Sequence, residues 1–203
     1  MHDEIPPSLR PVIQQSWKRS RAAGVDSQPG KLRLRKISRY ELAARLELNR
    51  NLLAAAKPRL DTYAAQVREV RHVLCLLDSD GIVLLSSGDE ELRKICGLQP
   101  GYDCSERQIG TNGAGTALAI GQPLAVMGAE HYRVDFRGFT SLAAPVMGPF
   151  GRVIGVIALN TFIADAVLDR LTQMVQLAHE SGEEITSLGG QRRARARGAK
   201  RGR

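Results

Sequence analysis

The sequence contains no uninterrupted apolar stretch of about 18 residues, the length that a membrane-spanning helix needs. Its first residues, MHDEIPPSLR, carry acidic side chains and prolines where a secretory signal would have an apolar segment. These two absences predict a cytoplasmic protein with no membrane among its partners.

Cysteine is scarce, and its spacing excludes two common kinds of site. Cys75, Cys96 and Cys104 form no Cys-x-x-Cys pair and have no histidine at zinc-finger spacing. This pattern predicts neither a disulfide framework nor a structural zinc site. We therefore expect reduced, partly buried thiols, and no metal or other cofactor.

Nucleotide-binding and hydrolytic motifs are also missing. The segment ERQIGTNGAGTAL (106–118) has the glycine spacing of a phosphate-binding loop, but Thr116 stands where that loop requires lysine. Leu118 likewise occupies the place of the third glycine in a dinucleotide-binding fingerprint. No Ser/His/Asp set or paired-carboxylate motif stands out, so the sequence predicts a protein that is not an enzyme.

Positive charge is concentrated at the two ends of the chain. Residues 1–40 contain nine basic and three acidic side chains, and residues 192–203 contain seven basic and no acidic ones. The tail from Arg192 to Arg203 is a candidate for non-specific binding to nucleic-acid phosphates, although it has no aromatic residue to stack on bases. A solvated extension without a partner fits the same composition, and KLRLRK (31–36) has the same two interpretations.

Hydrophobic periodicity predicts helices in the first third of the chain. A short helix is expected around PVIQQSWKRSRAAG (11–24), ending at Gly24. Ser38 is expected to cap the next helix, and an apolar stripe with steps of three and four runs from Leu42 to Val70. Pro58 suits the first turn of a further helix at 58–71.

Strand-like runs and short helices alternate over the remainder. Asp80-Gly81 predicts a hairpin turn, and the pattern as a whole predicts an α+β fold in which helices flank an antiparallel sheet. The expected strands are 72–78, 82–86, 122–128, 140–148 and 152–162, and the expected helices are 89–97, 112–120 and 164–188. The expected division of the chain is an arm (1–37), a domain (38–188) and a disordered tail (189–203).

The glycines of the 106–118 segment need a physical explanation. Thr111 or Asn112 can cap a helix that begins here, and Gly113 and Gly115 give that helix a face with little side chain. Each helical glycine costs about 1 kcal/mol relative to alanine. Either close packing against a sheet or a bound molecule would offset this cost, and the sequence leaves both open.

Five segments resemble, in the same order, the GAF sensory region of bacterial enhancer-binding activators of the acetoin-catabolism-regulator type. They are SWKRSRAAGVD (16–26), LLDSDGIVL (76–84), YDCSERQIGTNGAGTAL (102–118), AEHY (129–132) and LAAPVMGPFGRVIGVIAL (142–159). The resemblance implies a central antiparallel sheet with the N- and C-terminal helices packed on one face. It also implies a small-molecule effector that controls a downstream ATPase and helix-turn-helix, and neither of these parts is expected in this sequence.

The resemblance suggests where an effector would bind. Its candidate ligand-binding residues are Glu106, Thr111, Asn112 and His131, with Val126 and Ala143 as apolar lining. His131 would hydrogen-bond the effector or change charge near neutral pH, and a loop histidine with a backbone partner is the alternative. The sequence departs from the family pattern at Cys104, Gly113, Ala114 and 140–142, so the effector itself is not inferred.

Three further hypotheses concern partners and chemistry. The apolar stripes at 42–70 and 167–188 would pair in a homodimer, and the signal would pass to an output protein or through the basic tail. Because some GAF proteins reduce free methionine sulfoxide through cysteines, Cys96 and Cys104 leave a redox enzyme open. That chemistry needs an activated thiolate, whereas Cys104 lies between the acidic residues Asp103 and Glu106.

Overall fold

The computed structural model describes residues 8–30, 34–165 and 167–201, with the backbone alone described at 189–201. Its helices are α1 (Pro11–Ala22), α2 (Arg39–Leu48), α3 (Arg50–Gln66), α4 (Glu90–Ile95), α5 (Glu106–Ile109), α6 (Gly113–Ile120) and α7 (Arg170–Arg201). Its strands are β1 (His72–Asp78), β2 (Val83–Gly88), β3 (Leu124–Met127), β4 (Phe139–Met147) and β5 (Val153–Phe162). Within the described ranges, no helix is both long and apolar enough to cross a membrane.

The five strands form one antiparallel sheet in the order β2-β1-β5-β4-β3. The predicted hairpin is confirmed: β1 and β2 are joined at Asp80-Gly81, where Gly81 has a φ of +89°. The Asp78 carboxylate closes this turn by accepting hydrogen bonds from the backbone N–H of Asp80 at 2.9 Å and of Ile82 at 3.0 Å. The turn is therefore fixed by local chemistry that the sequence displays.

The sheet separates two apolar clusters, because successive side chains of a strand point to opposite faces. We call the side covered by α3 and α7 the helix face, and the side covered by α4, α5 and α6 the motif face. The helix face buries Leu74, Leu76, Leu142, Ile157 and Leu159, and the motif face buries Val73, Cys75, Ala143, Val156 and Ala158. The α+β prediction is confirmed, as is the packing of an N-terminal and the C-terminal helix on one face.

The predicted helix break at Pro58 is wrong. Pro58 lies inside α3, and the break between α2 and α3 falls at Asn49, whose side chain donates a hydrogen bond to the Arg45 carbonyl at 2.9 Å. Proline removes the hydrogen bond to the carbonyl four residues earlier. That residue, Ala54, is exposed like Pro58, so the missing bond lies on the solvent side of the helix.

The last helix also differs from its predicted range of 164–188. A 3₁₀ turn occupies Ile163–Asp165, and α7 begins at Arg170 after backbone hydrogen bonds from Arg170 to Val167 and from Leu171 to Leu168. Its backbone continues to Arg201, through most of the stretch expected to be disordered, because alanine, arginine and lysine are good helix formers. The basic side chains of the tail lie outside the described residues.

The arm helix α1 does not join the helix face. It packs beside β3, where Ile13 and Trp17 contact Leu124, Val126 and Tyr132. The Trp17 and Tyr132 rings meet edge to face with centroids 5.3 Å apart. The predicted role of Trp17 as an anchor for the arm is confirmed, while the division of the chain at residues 37 and 188 stays a prediction.

Candidate functional site

The glycine-rich segment forms α5, a tight turn and α6. Asn112 caps α6: its Oδ1 accepts from the Gly115 N–H at 2.8 Å, and its Nδ2 donates to the carbonyls of Cys104 at 3.1 Å and Gly110 at 2.9 Å. Gly110 makes the preceding turn with a φ of +74°. The Asn112 side chain, predicted to bind ligand, thus uses its oxygen and its amide nitrogen in the local fold.

Close packing explains the two glycines of α6. A Cβ at Gly113 would collide with the side chain and carbonyl of Ser141 on β4. A Cβ at Gly115 would lie 2.6 Å from the Cys104 carbonyl oxygen. Of the two explanations that the sequence left open, tight contact with neighbouring backbone and sheet accounts for both positions.

Glu106 and Thr111 bind the arm helix. The Glu106 carboxylate is 7 % exposed and receives hydrogen bonds from Arg19 Nε at 2.7 Å, from Arg19 Nη2 at 2.8 Å and from the Ser16 hydroxyl. Thr111 Oγ1 lies 2.7 Å from Ser16 Oγ and 3.3 Å from Ser20 Oγ. The SWKRS and SERQIGTN segments are therefore two halves of one polar interface.

Glu130 and Trp17 extend this interface. Arg10 donates to both Glu130 carboxylate oxygens at 2.6 and 2.7 Å, and Trp17 Nε1 donates to the Glu130 carbonyl at 2.8 Å. We call the contacts of Arg10, Ser16, Trp17 and Arg19 with the motif segments the arm latch. The motif residues Glu106, Thr111 and Glu130 thus contact α1 and the Arg10 that precedes it.

His131 is buried beside this latch. Its Nδ1 lies 3.2 Å from the Gly128 carbonyl, and burial lowers its pKa to about 4. The expectation that it changes charge near neutral pH is therefore wrong, because desolvation disfavours the imidazolium. A buried loop histidine with a backbone partner describes it.

When the pH is lowered from about 7 to about 5.5, the free energy of unfolding is expected to fall by about 1 kcal/mol because of His131. Its folded pKa of about 4 lies below the unfolded value of about 6.5, so the unfolded chain binds the proton first as the pH falls. This contribution is complete above the unfolded pKa and is lost as the pH falls towards the folded one. Urea denaturation of the wild type and His131→Gln at both pH values measures it.

The control for this experiment is His179→Gln, because His179 is an exposed histidine on α7. His131→Gln should show a smaller loss of stability on acidification than either the wild type or His179→Gln. Equal pH dependence in all three proteins would mean that His131 is protonated in the folded state at pH 5.5.

The predicted apolar lining does not form one wall. Val126 packs against Ile13 and Trp17 of the arm helix, whereas Ala143 lies under α6 on the motif face. Of the four predicted ligand-binding residues, Glu106 borders an open groove of about 1080 Å³ between α1, the β1-β2 turn and α6. The structure thus groups Glu106 and Thr111 around the arm, with Asn112 and His131 holding adjacent backbone.

A different set of polar atoms lies on the motif face. Ser86 Oγ, Arg93 Nε and Asn160 Nδ2 are buried and have no hydrogen-bond partner. Ser86 pairs directly with Cys75 across β2 and β1, and Asn160 pairs with Val73, two residues away from Cys75 on the same face. Arg93 lies close enough to Cys75 to influence its pKa, so all three residues are neighbours of Cys75 on the motif face.

Sequence reasoning missed these three residues. Ser86 and Asn160 are polar positions in otherwise apolar strands, and this was the signal that could have drawn attention to them. Their common face depends on the register of β1 against β2 and β5, which periodicity alone does not supply. Arg93 reaches the same place from α4.

The cysteines of the motif face are poor candidates for redox chemistry. Burial raises the pKa of Cys96 and of Cys104 to about 12, and it also raises the pKa of Cys75 well above its ordinary value. Such thiols stay protonated at neutral pH, whereas the nucleophile is the thiolate. Among the described residues, no cluster of histidine, cysteine and acidic side chains could hold a metal ion.

The architecture is GAF-like: a five-stranded antiparallel sheet lies between two helical layers. A chain in the crystal structure of the E. coli DhaR(N)-DhaL complex has the same fold, with a TM-score of 0.87 at 20% identity, over 94% of this chain and 65% of that one.

The family is shown by sequence. Residues 5–186 match the family described as MimR, N-terminal domain, and the chain belongs to this family. Over 88% of this chain, the sequence is 30% identical to the acetoin dehydrogenase operon transcriptional activator AcoR of Bacillus subtilis. It is 31% identical to the propane 2-monooxygenase operon transcriptional activator MimR of Mycolicibacterium goodii over 89% of its length. The chain spans 30% of the length of each relative.

Proposed function

We propose that the chain is a non-enzymatic sensor that binds a small oxygen-bearing metabolite on the motif face of its sheet. The family supports the regulatory part, because both relatives are named as transcriptional activators. The binding part rests on one observation, the three unpartnered polar atoms around Cys75.

The chemistry of these atoms indicates the kind of ligand. Arg93 Nε and Asn160 Nδ2 are hydrogen-bond donors, and the Ser86 hydroxyl can donate as well. Val73, Ala158 and Phe136 supply apolar surface on the same face. A compact molecule with carbonyl, hydroxyl or carboxylate oxygens and a short carbon skeleton fits both features.

Energetics give a reason for such a ligand. A buried polar group without a partner costs about 1–3 kcal/mol. A ligand whose oxygens accept from Arg93, Asn160 and Ser86 would recover part of this cost, so its binding would stabilise the folded chain. Glu106, Thr111, Asn112 and His131 would act indirectly, because they hold the helices and loops that cover the face.

A metabolite of this class at about ten times its dissociation constant is expected to raise the free energy of unfolding by about 1.4 kcal/mol. Thermal and urea unfolding against a panel of small hydroxyketones, ketones and carboxylates would find it. Arg93→Met and Asn160→Leu remove the donors at similar size, and each should abolish most of the stabilisation.

The unliganded variants provide the control. Because Arg93 Nε and Asn160 Nδ2 have no partner to lose, both variants should unfold at or above the stability of the wild type. Arg152→Met, at an exposed arginine, should respond to the ligand like the wild type. A panel without effect, or equal responses in all variants, would disprove the proposed site.

The signal would pass to other molecules through the terminal helices. Effector binding would favour one arrangement of α3 and α7, by a shift of population. We retain a homodimer through these helices and an output protein as the proposed partners, and light scattering would test the dimer. An output protein has a parallel in E. coli, where DhaR(N) forms a complex with DhaL.

Two further parts of the proposal concern location and the basic tail. We retain a cytoplasmic location for the chain. As the alternative function we retain nucleic-acid binding by the tail from Arg192 to Arg203, whose side chains lie outside the described residues.

A further inference from the structure

A second group of unpartnered polar atoms lies on the helix face, opposite the proposed effector site. His72 Nε2, Thr140 Oγ1 and Arg170 Nη1 are buried without a hydrogen-bond partner. The His72 residue is 5 % exposed and Thr140 is fully buried. Arg170 is half-buried, so it is the member of the group nearest to solvent.

The sheet register brings two of these residues together. Thr161 on β5 pairs with His72 on β1 and with Thr140 on β4. His72 precedes Leu74 by two residues, and Thr140 precedes Leu142 by two, so both share the helix face with those core leucines. His72 and Thr140 therefore flank Thr161 in one row across three neighbouring strands.

Helix α7 brings Arg170 to the same end of the sheet. Gly182 packs against the Met147 carbonyl at the end of β4. Arg59 pairs with Glu180 and Glu184, whereas Tyr63, later in α3, contacts Gln173, so α7 runs antiparallel to α3. Arg170 therefore lies beside the C-terminal end of α3, which precedes His72. Arg170 also acts electrostatically on Tyr63, whose hydroxyl donates to Gln173 at 2.7 Å.

The positive charge in this cluster is on Arg170. Within the described part of the chain, no carboxylate forms an ion pair with Arg170, and the hydroxyl of neighbouring Thr161 donates to the Arg71 carbonyl. A buried cationic nitrogen is costly unless an anion pairs with it. An oxyanion would accept from Arg170 Nη1 and Thr140 Oγ1. His72 Nδ1 already donates to the Val70 carbonyl at 2.6 Å, so His72 Nε2 would donate to the same anion only if the ring binds a second proton together with it.

We propose that His72, Thr140 and Arg170 form a binding site for a small oxyanion, either a carboxylate or a tetrahedral phosphate, between the sheet and the first turn of α7. The site is separate from the proposed effector site and does not depend on it. An anion bound there would fasten the start of α7 to β1 and β4.

Isothermal titration calorimetry with acetate and with inorganic phosphate tests this site, at constant ionic strength set by chloride. One of the two anions should bind saturably with a stoichiometry of one, and this result would also distinguish the two sources of the oxyanion. Arg170→Met and Thr140→Val should each weaken that binding at least tenfold. Arg152→Met, at an exposed arginine, should leave it unchanged.

Both variants are expected to fold. Arg170→Met and Thr140→Val keep side-chain volume and remove atoms that have no partner, so the wild-type circular dichroism spectrum should persist. If neither anion bound saturably to the wild type, the proposal would be overturned. It would also be overturned if the two variants bound the anion as tightly as the wild type. Either outcome leaves the effector experiment untouched, because its variants lie on the other face.

Discussion

Arg19→Met is expected to lower the free energy of unfolding by about 3 kcal/mol, since removing one partner of a buried ion pair leaves the other charge uncompensated. The charge left behind is the Glu106 carboxylate, which is 7 % exposed and would keep only the Ser16 hydroxyl as a side-chain donor. The arginine itself is 43% exposed, which places the effect at the lower end of the usual range. Urea denaturation measures the loss.

Trp17 gives this experiment an independent readout, because it is the sole tryptophan of the sequence. Its indole donates to the Glu130 carbonyl in the arm latch, so release of α1 should shift its fluorescence to longer wavelength before the sheet unfolds. Arg21→Met, two residues further along α1 at an exposed position, is the matched control and should leave stability and fluorescence unchanged.

A second change can restore part of the loss. Glu106→Gln in the Arg19→Met background removes the uncompensated charge and keeps an acceptor for the Ser16 hydroxyl. The double variant should therefore be more stable than Arg19→Met alone. If the single variant matched the wild type, the Arg19–Glu106 pair would contribute nothing and the arm would be held by its apolar contacts.

Gly115→Ala is expected to lower the free energy of unfolding by about 2 kcal/mol. The added Cβ would lie 2.6 Å from the Cys104 carbonyl oxygen and 2.7 Å from the Glu106 nitrogen, which are backbone atoms that cannot rotate away. Overpacking of this kind costs about 1–3 kcal/mol. Because these two contacts are so short, we expect a cost at the upper end of that range, and the better helix propensity of alanine offsets about 1 kcal/mol of it.

Gly138→Ala is the control for this substitution. Its Cβ would meet no atom within 4 Å, and the backbone there is not in the left-handed region. Its free energy of unfolding should stay within about 0.5 kcal/mol of the wild type. A Gly115→Ala protein more stable than the wild type would show that the glycine is not required by packing.

Local chemistry made much of the fold predictable from the sequence. The Asp80-Gly81 turn, the Ser38 cap and the Asn112 cap each depend on residues within four positions of one another, and all three are found. The helix break expected at Pro58 is wrong because the effect of a proline depends on which side of the helix faces water. That side is decided by the packing of α3 on the sheet.

The candidate site was less predictable, for a different reason. The motif residues were recognised, but Glu106 meets Ser16 across 90 positions of sequence and Glu130 meets Arg10 across 120. Whether a carboxylate faces a ligand or an arginine of the same chain depends on that tertiary contact. The groups around Cys75 and Thr161 similarly require strand register, which the composition of a strand does not contain.

The arm latch has a consequence for the order of events during synthesis. Helix α1 leaves the ribosome before its partners at Glu106, Thr111 and Glu130, which follow about 90 to 120 residues later. At about 5–20 residues per second, the arm waits roughly 5–20 s before it can dock. Helix α1 thus cannot be fixed until the middle of the chain has been made, and its docking reports that this part of the chain has already folded.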